Sequence, residues 1–132
     1  MNKIIKSLLV PLLFIIASPA FSASGMRAIQ IFECEFNGDA TADQVLELTS
    51  AWLKAAKKIP GGKNIEVGIR FPIAEGAQSQ GGFRFVISAP SFAEWGQFTD
   101  AYEGSEVAGV DEKFDDLADC GQSTIWEGMV IK

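Results

Sequence analysis

The chain has 132 residues, with 11 lysines and arginines against 17 acidic residues and no histidine. A net charge of −6 works against binding nucleic acid or anionic lipid surfaces. The lack of histidine excludes a Ser-His-Asp or Cys-His nucleophile, a histidine-ligated haem and the usual histidine-containing zinc sites.

Lys3 and Lys6 open the chain, and Leu8 to Ala17 is an apolar run broken by Pro11. Ser18 to Ala23 then supplies small residues. This layout predicts a secretory signal peptide over residues 1–23, cleaved after Ala20, Ser22 or Ala23. The apolar run falls short of the ~20 residues that span a bilayer, so no membrane association is expected after cleavage. Residues 24–132 are then one domain, long enough for its own core. The expected location is the periplasm or the exterior. There, Cys34 and Cys120 favour a disulfide over free thiols.

Met26 to Phe36 reads as a strand, closed by the turn signal Asn37-Gly38-Asp39. Alternation puts Ala28, Gln30, Phe32, Cys34 and Phe36 on one side. Ile29, Ile31, Glu33 and Glu35 take the other. Thr41 and Gln44 form a capping box that predicts a helix start. Val45, Leu48, Trp52, Ala55 or Ala56, and Ile59 make its apolar stripe, and Pro60-Gly61-Gly62 ends it. Ile65 to Phe71 and Phe83 to Ser88 read as two strands around a polar, glycine-rich tip at 74–82. Those glycines lack phosphate-loop spacing. Ser91 and Glu94 predict a second capping box. Phe92, Trp95, Phe98 and Tyr102 form the stripe of that helix, which Gly104 breaks. A short further helix begins at Ser105 or Gly109, with Val107, Val110, Phe114 and Leu117 inward. The last strand is read as Ser123 to Ile131.

The order β-α-β-β-α-β predicts an α+β, ferredoxin-like domain: a four-stranded antiparallel sheet, order 4-1-3-2, with both helices on one face. In that order the first and last strands are neighbours. Cys34 and Cys120 therefore fall together, which supports the disulfide. The other sheet face is expected to carry Ile29, Ile31, Val86, Ile125, Met129 and Ile131, mixed with Glu33, Glu35, Arg84 and Glu127. Such a face is too apolar for water, and a second copy of the chain is the simplest cover.

The element order resembles the dimeric α/β-barrel superfamily, which includes antibiotic-biosynthesis-monooxygenase-like, NIPSNAP-like and EthD-like proteins. So does the stretch from Ser91-Phe-Ala-Glu-Trp95 through Tyr102-Glu-Gly-Ser-Glu-Val107 to Phe114-Asp-Asp-Leu117 before a final strand. The resemblance implies two sheets packed face to face, often around a cavity. Members that use a catalytic or haem-binding histidine find no counterpart here.

Three readings of function follow. The first is a homodimer that binds a small apolar molecule in an inter-sheet cavity, contacted by Ile29, Ile31, Val86, Ser88, Glu127 and Met129. The second is a cofactor-independent monooxygenase or isomerase, with Glu33 or Glu35 as base and Arg84 as charge stabiliser. The third is an interaction domain. No nucleotide or metal motif is present, so no cofactor is expected. Against catalysis stands the plainer reading of the charged residues as ion pairs across the sheet. The acidic run Asp111, Glu112, Asp115, Asp116 and Asp119 lacks EF-hand spacing and reads as a solvated helix face. Trp52 and Trp95 read as core. Trp126 shares the parity of Thr124 and Gly128, which assigns it to the helix-covered face.

Overall fold

Thr41 begins the first helix through the reciprocal bonds its sequence calls for. Its backbone N–H donates to Gln44 Oε1 at 2.9 Å, and the Gln44 N–H donates to Thr41 Oγ1 at 3.4 Å. These belong to a computed structural model that describes residues 25–73 and 82–129. The expected signal peptide, most of the expected hairpin tip (residues 74–81) and Ile131 lie outside the described residues.

The elements are β1 (Met26–Phe36), α1 (Ala42–Ala56), β2 (Glu66–Arg70), β3 (Gly82–Ala89), α2 (Phe92–Asp100), α3 (Glu106–Asp111), α4 (Phe114–Leu117) and β4 (Ala118–Met129). The strands pair antiparallel in the order β2-β3-β1-β4. This is the expected 4-1-3-2 arrangement.

The core lies between the helices and one sheet face. α1 turns Val45, Trp52, Ala55 and Ala56 onto the sheet, all essentially fully buried. Trp52 meets Phe85 edge-on at 5.4 Å and Phe98 of α2 at 5.8 Å between ring centroids. After α1, Gly61 adopts φ 73°, and a Cβ there would strike the backbone of Glu94 and Phe98. The turn therefore seats directly on α2, an approach only glycine permits.

The N-terminus of α2 is half a capping box. Ser91 Oγ accepts the Glu94 N–H at 3.1 Å. The Glu94 carboxylate turns to the Ser91 hydroxyl and to Asn64 Nδ2 instead of the backbone. Phe92, expected in the apolar stripe, is 48% exposed. It is the first residue of the helix. Gly104 takes φ 71°, and Ser105 then caps α3 through the Ala108 N–H.

Two expectations about the last strand change. It begins at Ala118, five residues before Ser123. It also contains a β-bulge. Glu33 pairs with Gln122 while Cys34 pairs with Cys120, so Gly121 has no partner on β1. One extra residue inverts the facing of everything after it. Trp126 consequently pairs with Ile29 and Thr124 with Ile31, on the outer face, away from the helices. Ile125 pairs with Gln30, Glu127 with Ala28 and Met129 with Met26. All three thus lie on the helix side, opposite to the sequence expectation.

Candidate functional site

The outer face of the sheet holds most of the sequence-predicted site residues. Ile29 and Ile31 on β1 are half-buried, and Val86 beside Ile31 on β3 is 6% exposed. Trp126 completes this apolar centre at 57% exposed, with its indole N–H donating to Thr124 Oγ1 at 2.8 Å. The Ile29 side chain lies over Gly128, in the space a Cβ would take.

Charged residues flank that centre. Arg84 Nη2 lies 3.4 Å from Glu33 Oε1, across the β1–β3 pair. Both side chains are well exposed, so the pair contributes about 0–1 kcal/mol. It is a cross-strand ion pair. Glu35 sits opposite Asp119 on β4, and both are exposed. At the other end, Arg27 donates from Nε to Ser88 Oγ at 2.7 Å, and its Nη2 is 2.9 Å from Glu66 Oε2. Ser88 is thereby engaged within the sheet. Glu127 and Met129 are not part of this group, because the bulge turns them to the far face.

The second location is a cavity of about 400 Å³, partly open to solvent, between the helices and the sheet. Phe32 of β1 and Phe85 of β3 form its floor, and Trp52, Trp95, Phe98 and Phe114 its aromatic walls. Tyr102, just beyond α2, also lines it. None of Ile29, Ile31, Glu33, Glu35, Arg84, Val86, Ser88, Glu127 or Met129 does so. Cys120 is the one residue singled out from sequence as a site or disulfide position that borders it. Cys120 is bonded to Cys34, which is itself buried.

Three exposed carboxylates, Asp111, Asp115 and Asp119, border the cavity. They stand at the end of α3, in α4 and at the start of β4, and all three reach the same rim. Exposure agrees with the solvated reading of this acidic run, but its place beside a cavity was not legible from spacing. The Tyr102 phenol is pushed well above its ordinary value, first by burial and then by the hydrogen bond and charge of Asp111. It stays neutral at physiological pH. The Trp52 indole acts the other way, favouring the phenolate through a hydrogen bond to the phenol oxygen.

No family model matches the chain, and no curated protein matches it. Among solved structures, a hydroxynitrile lyase from Passiflora edulis superposes with a TM-score of 0.52 at 9% identity. The match covers 83% of this chain and 96% of the lyase. The fold is ferredoxin-like. A dimeric ferredoxin-like protein of unknown function from Thermobifida fusca gives a TM-score of 0.48 at 19% identity, over 80% of this chain and 91% of that one. A DABB-family protein from Mesorhizobium loti with a ferredoxin-like fold gives 0.42 at 14%, over 82% and 99%. The strand order β2-β3-β1-β4 is the ferredoxin-like arrangement expected from the element order. At these identities the likeness carries the fold and not an activity.

Proposed function

We propose that this protein is an exported homodimer that binds a small, mainly apolar molecule between its helices and its sheet. The cavity carries this reading. It is a cleft of about 400 Å³, partly open to solvent, with aromatic side chains in its lining, and its size is that of a small-molecule site. The location departs from the inter-sheet pocket expected from sequence, and the ligand class is retained.

Export is supported by the charged, apolar and small-residue succession over residues 1–23, and by the Cys34–Cys120 disulfide. Homodimerisation is supported by the outer face. Ile29, Ile31, Val86 and Trp126 make a continuous apolar strip there, framed by Arg27–Glu66 at one end and Glu33–Arg84 at the other. Burying a large apolar side chain fully contributes roughly 1.5–3 kcal/mol, and a second copy supplies a self-complementary cover.

The test is a thermal-shift screen with small neutral and charged aromatic compounds on wild type and on Thr99→Trp. Thr99 is an exposed residue of the cavity lining, so a larger side chain there obstructs the space without entering the core. Stabilisation seen in wild type and lost in Thr99→Trp is expected. Equal stabilisation of both proteins, or none of either, would refute binding in this cavity.

A further inference from the structure

The cavity has a charge as well as a shape. Among the described residues no lysine or arginine lines it, and its formal charge comes from Asp111, Asp115 and Asp119. None of the three forms a salt bridge among the described residues. Tyr102 remains protonated and adds no charge. The walls are aromatic rings, whose faces carry negative potential and attract cations. An anionic ligand would meet repulsion from both carboxylates and ring faces. A cation would meet attraction from both, with carboxylates at the exposed side to receive a charged group that stays partly in water.

Resting on the reading of this cavity as a ligand site, we infer that its ligand is a compact aromatic amine, cationic at neutral pH. The ring lies among the aromatic side chains of the lining, and the ammonium group faces Asp111, Asp115 and Asp119. A ligand of this size fits within the 400 Å³ available.

Three probes share one ring and differ in charge: tyramine, tyrosol and 4-hydroxyphenylpropanoate, which are cationic, neutral and anionic. Titration calorimetry at low ionic strength should rank tyramine tightest, by about tenfold over tyrosol, with the propanoate weakest. The double substitution Asp111→Asn/Asp115→Asn should weaken tyramine by about tenfold and leave tyrosol unchanged. Equal or tighter binding of tyrosol or the propanoate overturns the ligand class while leaving the cavity a binding site. Tyramine affinity unmoved by the double substitution does the same. Binding of none of the three at millimolar concentration overturns both the ligand class and the binding reading.

Discussion

Trp126 stands directly across from Ile29, on the sheet face turned away from the helices. Strict alternation counted from Cys120 would send it the other way. Gly121, the unpaired residue of the bulge, makes the difference. A glycine within a strand is a frequent mark of such an irregularity. The outer face gains an aromatic anchor of the kind that dominates interfaces, and loses Ile125 and Met129.

Trp126→Lys therefore tests the dimer at its most exposed apolar residue. A lysine there places two like charges near one another if the strip is self-paired. Sedimentation should shift from dimer to monomer. Thermal stability of the monomer should change little, by about 0.5 kcal/mol or less, since the side chain is 57% exposed in the single chain. A dimer of unchanged affinity would place the interface elsewhere.

The disulfide closes a long stretch of chain. Cys34 and Cys120 are 86 residues apart in sequence and join β1 to the start of β4 beside the bulge. In the chain-entropy model a loop of that length contributes about 4 kcal/mol. Cys34→Ala/Cys120→Ala should lower the free energy of unfolding by an amount of that order, read from urea midpoints. Mass spectrometry without reductant should find no free thiol in the oxidised wild type.

Tyr102 is the sole tyrosine, so its titration is directly visible in the ultraviolet. The folded protein holds the phenolic proton more tightly than the unfolded chain, whose value is near 10.0. The contribution to stability is therefore complete below about pH 10 and is lost as the pH rises above it. Phenolate absorbance should appear only well above pH 10 in native protein and near pH 10 in urea. Asp111→Asn removes one of the causes and should bring the native titration down.

Thr41→Ala removes the hydroxyl that accepts the Gln44 N–H at the start of α1. It should cost about 1 kcal/mol, seen as a lower thermal midpoint with an unchanged far-ultraviolet spectrum. A loss of several kcal/mol would mean that Thr41 does more than cap.

Much of the fold was legible because its signals are local and repeated. The Thr41–Gln44 box, the three- and four-residue spacing through Trp52, and the alternation in β1 and β3 each point to one element. The element order then brings Cys34 and Cys120 together. The facing of β4 was not legible, because a single unpaired residue leaves no trace in a two-residue period until its partner strand is known. The cavity was hidden for another reason. Trp52, Trp95 and Phe98 occupy the same stripe positions whether the space before them is filled or empty. Packing between α2, α3 and the sheet decides which, and spacing along one helix does not contain it. The outer-face charges were placed correctly in β1 and β3, where they form the cross-strand Glu33–Arg84 pair.

Nuclear magnetic resonance of the three tryptophan indole N–H groups, assigned with single Trp→Phe variants and titrated with tyramine, separates the two possible locations for a ligand. Trp52 and Trp95 line the space between helices and sheet, while Trp126 lies on the outer face. Movement of the Trp52 signal, with Trp126 still, is the expected result. Movement of Trp126 alone would contradict it and return the ligand to the face between two protomers.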